Sequence, residues 1–156
     1  MSLKDYQSRI DRLQKGLGKA FIENPFILNI PGKSIALKVD PYYYVAFEPG
    51  FTDNLSRFGV MLQKNVRDTL VRTGNLVTDH ESRNPLIKIR MKWDERSYLM
   101  NVCFVESEFI DQSLKMYGGV VGDIGLSELR ILETERERLD KFFGERTLLK
   151  SVAFTE

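Results

Sequence analysis

The residues best suited to acid–base or metal chemistry lie in two short acidic stretches of this sequence. The single histidine, His80, stands between Asp79 and Glu81, and Glu106 and Glu108 follow later in the chain. Metal sites usually have ligands at tight, patterned spacing, and no H-x-x-H, H-x-x-x-H or C-x-x-C motif is present. A solvated loop and an acid-rich helix start are the ordinary alternative. We therefore expect no metal site, cofactor or catalytic residue, and a small metal-dependent enzyme is our third hypothesis.

Nucleophilic catalysis has no better support in the sequence. The only cysteine, Cys103, lies in an apolar run, which predicts a buried thiol and excludes an intramolecular disulfide. None of the serines lies in a G-x-S-x-G motif, which positions the nucleophile in many hydrolases. The sequence therefore favours a protein that is not an enzyme.

A glycine-rich segment precedes the last predicted helix, whose N-terminus could bind an anion. The segment contains Gly118, Gly119, Gly122 and Gly125. Dinucleotide- and phosphate-binding loops place their glycines directly after a strand, whereas this segment follows a short predicted helix. We therefore interpret Tyr117, Gly118, Gly119 and Gly122 as a loop that could contact a partner.

The most specific surface feature is a row of three cations, Lys88, Arg90 and Lys92, that alternates with apolar residues. Alternation with a period of two places all three side chains on one face of a strand. A solvated face, or lysines that block pairing at a sheet edge, is the first interpretation. Docking on an acidic protein surface is the second. Binding of nucleic acid is the third, with Tyr42 and Tyr44 stacking on bases if their strand is adjacent.

The overall charge gives no support to a general affinity for nucleic acid or membrane surfaces. Lysine and arginine total 23 against 22 aspartates and glutamates, so the field of the whole molecule is close to neutral. The N-terminus is charged from its fourth residue, unlike a signal peptide, and no apolar stretch reaches the length of a membrane span. We therefore expect a cytoplasmic protein with no membrane partner.

Apolar residues at helical spacing predict three longer helices, one N-terminal, one central and one near the C-terminus. Their expected ranges are 3–23, 53–74 and 126–143, and a short helix is expected over 106–116.

Alternating, β-branched and aromatic runs predict the strands. These runs cover residues 26–30, 34–40, 42–47, 87–93, 98–105 and 147–154. We expect the runs at 87–93 and 98–105 to form an antiparallel hairpin, with the second strand more central because it is apolar on both faces except at Asn101. The prediction is a single α+β domain over residues 1–156, in which a mostly antiparallel or mixed sheet of about five to six strands packs with the three longer helices.

A domain without site chemistry is typical of a building block or an adaptor. We therefore expect a structural or interaction subunit of a large multi-protein assembly, forming a homo- or hetero-oligomer with other protein subunits. A phage or virus particle component, from a tail, neck or baseplate, is the specific expectation. The alternative is a nucleic-acid-binding module that uses the basic strand.

Overall fold

The computed structural model describes residues 2–23, 35–118 and 125–156, which form a six-stranded sheet with helices on its faces. The strands are β1 (Ala36–Lys38), β2 (Tyr43–Phe47), β3 (Ile87–Trp93), β4 (Arg96–Glu106), β5 (Arg130–Leu132) and β6 (Phe154–Thr155). Their order is β1-β2-β4-β3-β5-β6. Neighbours are antiparallel except β5 and β6, which are parallel. The predicted α+β class, the mixed sheet and its strand number are confirmed.

Five α-helices are present in the same part of the chain. They are α1 (Leu3–Glu23), α2 (Gly50–Phe58), α3 (Gln63–Arg72), α4 (Ser107–Tyr117) and α5 (Arg136–Phe143). The predicted central helix is two helices, because its middle contacts α1 too closely to continue. A Cβ atom on Gly16 of α1 would lie 2.7 Å from the backbone nitrogen of Gly59, and Val60 turns the chain with a φ of 52°.

The helix predicted over 126–143 is correct only in its second half. Residues 130–132 form β5, in which Ile131 pairs with Met91 of β3 and is fully buried. A 3-10 turn, Glu133–Glu135, then leads into α5. Pairing with a sheet edge that is already formed overrides the helical periodicity of this stretch.

Another difference concerns the last strand. The predicted strand at 147–154 is reduced to β6, which lies at the edge of the sheet and follows a 3-10 turn, Ser151–Ala153. The strand predicted over 26–30 lies outside the described residues.

Helices α1 to α4 cover one face of the sheet and form with it the first core. Its fully or almost fully buried members include Leu13, Leu17, Tyr44, Leu55, Val66, Leu70, Cys103, Val105 and Ile110. Helix α5 and the residues after it, 144–156, which we call the C-terminal segment, cover the opposite face and form the second core. This core includes Tyr43, Val45, Ile89, Met91, Phe104, Ile131, Leu139, Phe142 and Phe143. Adjacent tyrosines of β2 therefore enter different cores, as the alternation of a strand requires.

The β3–β4 hairpin is closed by two residues in the left-handed region. Asp94 has a φ of 48° and Glu95 a φ of 64°, the combination of a type I′ turn. The turn sets the register by pairing Trp93 with Arg96, and this fixes which side chains share a face along the whole hairpin.

Candidate interaction surface

Six side chains of the β3–β4 hairpin lie side by side on one face of the sheet, and we call them the basic face. The register pairs Lys88 with Asn101, Arg90 with Leu99 and Lys92 with Ser97. The predicted row of three cations is therefore real, and β4 adds a leucine and two polar residues beside it.

The basic face continues the sheet face that carries the first core. Asn101, Cys103 and Val105 alternate along β4, so all three point to the same side of the sheet. Cys103 and Val105 are fully buried, whereas Asn101 is exposed and the Leu99 side chain is 50% exposed. In the part of the chain that the structure describes, the helical layer thus ends between Cys103 and Asn101 and does not cover the basic face.

Two of the three cations have no charged partner among the described residues. Lys92 lies 3.9 Å from Glu95, an exposed pair that contributes little. The side chains of Lys88 and Arg90 form no ion pair within residues 2–23, 35–118 and 125–156.

Blocking of a sheet edge does not explain these cations, because β3 lies between β4 and β5. Strand β5 pairs only with Met91 and Lys92 of β3. At the preceding residues, side chains form hydrogen bonds with the backbone of β3 instead. The backbone N–H of Arg90 donates to the carboxylate of Glu135 at 2.9 Å, and Arg138 Nη2 donates to the carbonyl of Lys88 at 3.0 Å. Arg138 Nη1 also donates to Glu135 at 2.9 Å. This side of β3 is closed within the molecule.

The structure places the two predicted tyrosines apart from the basic face. Tyr44 is fully buried in the first core, and its hydroxyl donates to Asp111 Oδ1 at 2.5 Å. Burial raises the pKa of Tyr44 far above its ordinary value, and Asp111 raises it further. Tyr42 is 40% exposed, but it lies beside Lys150, whose Nζ is 5.1 Å from the ring centroid. Neither tyrosine therefore lies where its ring could stack on a base bound at the basic face.

The glycine segment is only partly described. Tyr117 is the last residue of α4 and packs against α1, because a Cβ atom on Gly18 would lie 2.5 Å from the Tyr117 Cβ. Gly118 is buried and caps α4 by donating its N–H to the carbonyl of Leu114 at 2.8 Å. Gly119 and Gly122 lie outside the described residues. Tyr117 and Gly118 thus have a packing role inside the fold.

The residues considered for metal chemistry have other neighbours. The backbone N–H of His80 donates to the carbonyl of Phe142 at the end of α5. Glu106 and Glu108 line a groove between α1 and α4. Within the described residues, no group of three or more histidine, cysteine, aspartate or glutamate side chains is arranged to hold a metal ion.

The groove between α1 and α4 has a volume of about 540 Å³ and a polar lining. The lining includes Gln7, Asp11, Gln14, Asn75, Glu106, Glu108 and Gln112. Burial raises the pKa of Glu106, and the charges of Glu108 and Asp40 raise it further. A groove in which a neighbouring carboxylate already disfavours the ionisation of Glu106 is unsuitable for an anion.

A buried polar cluster that the sequence did not indicate surrounds the cysteine. Thr52 Oγ1 donates to Glu48 Oε1 at 2.6 Å, and Arg67 Nη2 lies 3.6 Å from Glu48 Oε2. The thiol of Cys103 lies 3.6 Å from Glu48 Oε1. Burial raises the pKa of this thiol, and Glu48 raises it further, so Cys103 stays protonated and is a poor nucleophile.

The sequence interpretation missed the β4 half of the basic face. It took 98–105 as apolar on both faces except at Asn101, whereas Leu99 and the preceding Ser97 are exposed as well. The Asp94-Glu95 turn was the available signal, because counting outward from a two-residue turn pairs Arg90 with Leu99 directly.

None of the described helices is long and apolar enough to cross a membrane. Comparison of the chain with protein-family models, with curated proteins and with solved structures finds no match.

Proposed function

We propose that this protein is a non-enzymatic interaction subunit of a multi-protein assembly and that its basic face binds an acidic surface of another protein. One observation carries the proposal: within the described residues, a sheet face that is buried elsewhere is left open at the hairpin, where Lys88 and Arg90 form no ion pair and lie near a half-exposed leucine. An apolar residue inside a charged rim is the usual anatomy of a protein interface. The cations would orient the partner, and Leu99 would be the residue buried on contact.

Protein is favoured over nucleic acid as the partner for two reasons. The net charge of +1 gives no long-range attraction for a phosphate backbone. The six residues of the basic face also include no aromatic side chain on which a base could stack.

The finer parts of the proposal concern the cellular setting. We propose synthesis in the cytoplasm and incorporation into a larger assembly there, with a phage- or virus-type particle as the kind of assembly. Within the described residues, no histidine, cysteine or carboxylate side chains are grouped to hold a metal ion, which favours an interaction role over a metal-dependent enzyme.

The assembly role is tested by the mass of the native complex. A tagged copy expressed in the source cells should elute from a sizing column well above 18.1 kDa. The triple variant Lys88→Ser/Arg90→Ser/Lys92→Ser should elute at a smaller mass. The control Lys4→Ser/Lys64→Ser/Lys141→Ser removes three exposed cations elsewhere and should elute like the wild type. Elution of the wild-type protein as a monomer contradicts the proposal.

The choice between protein and nucleic acid is tested by fluorescence anisotropy with two probes of equal charge. One is a glutamate-rich peptide and the other a single-stranded oligonucleotide. We expect tighter binding of the peptide, and a loss of about tenfold or more in the triple variant of the basic face. Tighter binding of the oligonucleotide, with a steep salt dependence, would favour the nucleic-acid module instead.

A further inference from the structure

One side of β4 has no neighbouring strand next to the basic face. Strand β2 ends at Phe47, opposite Val102, and its last bond to β4 runs from the N–H of Glu48 to the carbonyl of Asn101 at 3.0 Å. Pro49 follows, which has no N–H to donate, and the chain turns into α2. From residue 100 back to the turn, no described residue pairs with β4 on this side.

Hydrogen-bonded and non-hydrogen-bonded pairs alternate along the hairpin, and this alternation identifies the backbone groups that point to the open side. In an antiparallel hairpin closed at Trp93 and Arg96, the pairs Met91–Tyr98 and Ile89–Met100 exchange hydrogen bonds with each other. The intervening residues of β4 direct their N–H and C=O groups away from β3. Ser97 and Leu99 therefore present four backbone groups to the open side.

Backbone hydrogen bonds on both strands confirm this alternation. Asn101, two residues beyond Leu99, uses its carbonyl to pair with Glu48 on the β2 side. Arg90 and Lys88, the partners of Leu99 and Asn101, bond outward to Glu135 and Arg138. The outward-facing backbone groups of β3 are thus bonded by side chains. No described residue bonds the outward-facing backbone groups of Ser97 and Leu99 in β4.

We propose that the partner bound by the basic face is an extended acidic segment of another protein, which adds to β4 as a further strand along residues 97–100. This inference rests on the proposed function and specifies the geometry of the same site. Main-chain hydrogen bonds to an open edge supply affinity in this mode of recognition, and alternate side chains supply specificity.

Charge complementarity determines the chemistry of the added segment. Its alternate side chains would lie on the side of the basic face, two strands or about 10 Å from β3. The long stems of Lys88, Arg90 and Lys92 can extend over Leu99 to meet carboxylates there. The other side chains of the segment would lie beside Tyr98 and Met100, which are half-buried, and should be apolar. A second copy of this chain fits less well, since pairing two β4 edges would bring two basic faces together without any acid.

The probe for this proposal is a ten-residue peptide in which glutamate and valine alternate. Wild-type protein should bind it, and Leu99→Pro should weaken binding by about tenfold or more, because it removes an N–H that faces the open side. Proline at that position leaves the bonds between β3 and β4 intact. The control Leu99→Val keeps both the N–H and an apolar side chain and should bind within about threefold of the wild type.

Hydrogen exchange gives a readout on the unmodified protein. The amides of Ser97 and Leu99 should exchange quickly in the free protein and slowly with the peptide bound. The amides of Tyr98 and Met100, which bond to β3, should be slow in both states. Unchanged exchange at Ser97 and Leu99 in a complex that does form overturns the strand addition.

The outcomes separate this inference from the proposed function. If the triple variant loses the peptide but Leu99→Pro binds like the wild type, the basic face binds acids without strand addition. If neither change affects binding, both proposals fail. Should Leu99→Pro not fold, two N-methylated peptides decide, one methylated at the glutamate amides and the other at the valine amides. In an added strand, only one of these two sets of amides can face β4. Loss of binding with one peptide and not the other supports the added strand, and equal behaviour of both overturns it.

Discussion

At the scale of single residues, the stretch 40–44 shows how buried polar groups join distant parts of the chain. Asp40 is fully buried, and its carboxylate accepts the backbone N–H groups of Tyr42, Tyr43 and Lys150, each at 2.8 Å. The hydroxyl of Tyr43 donates to the carbonyl of Thr147 at 2.6 Å. A buried polar group without a partner costs about 1–3 kcal/mol, so these bonds hold the C-terminal segment against β2.

The buried tyrosines predict a loss of stability at alkaline pH. Burial raises the pKa of both Tyr43 and Tyr44 above the ordinary value of 10.0, and nearby carboxylates raise both further. Their neutral forms therefore stabilise the fold fully below about pH 10. As the pH rises above that value, the unfolded chain loses these protons first and the free energy of unfolding falls.

The measurement is the urea midpoint at several pH values between 8 and 11. The double variant Tyr43→Phe/Tyr44→Phe should be less stable at pH 8 and should show a shallower decline above pH 10. Tyr42→Phe, at an exposed ring, should decline as the wild type does. An equally steep decline in the double variant would show that other groups cause the alkaline effect.

At the scale of elements, two glycines allow α1 to lie against its neighbours. A Cβ on Gly16 would meet Gly59 after α2, and a Cβ on Gly18 would lie 2.6 Å from the Tyr117 carbonyl carbon in α4. Glycine normally weakens the interior of a helix by about 1 kcal/mol relative to alanine. These positions use the missing side chain for close packing.

Gly18→Ala should therefore lower the melting temperature, against its favourable helix propensity. Overpacking costs about 1–3 kcal/mol, which outweighs the propensity gain of about 1 kcal/mol. The comparison is Ser8→Ala, at an exposed position of the same helix, which should leave the melting temperature unchanged or slightly higher. A rise in both variants, measured by circular dichroism, would mean that α1 and α4 can move apart freely.

At the scale of the whole molecule, one sheet carries both cores. Strands β2 and β4 contribute alternate residues to the first core and the second core. Because both cores pack on the same two strands, loss of these strands would open both cores together. Trp93 packs against the second core, and Cys103 lies in the first. The chain thus contains an intrinsic reporter on each side of the sheet.

The two reporters should give one unfolding transition, as the prediction of a single domain over residues 1–156 requires. Trp93 fluorescence and the labelling of Cys103 by a thiol reagent should show the same urea midpoint, because Cys103 is fully buried until the fold opens. A control with Cys103→Ala should keep the fluorescence transition without labelling. Two separate midpoints would contradict the single domain.

Local patterns alone determined α1, the short helix after β4, the alternation of β3 and its pairing with β4. In each of these the period of apolar residues agrees with the structure that forms, since the signal lies within one element. The sequence also located the three cations of the basic face by the same alternation.

Only the tertiary structure decided the rest. The break between α2 and α3 depends on the approach of Gly16 to Gly59, and β5 depends on the edge that β3 offers to Ile131. The exposure of Leu99 depends on where the helical layer stops and where β2 turns away at Pro49. These features arise from contacts between residues far apart in the chain, which no local period encodes.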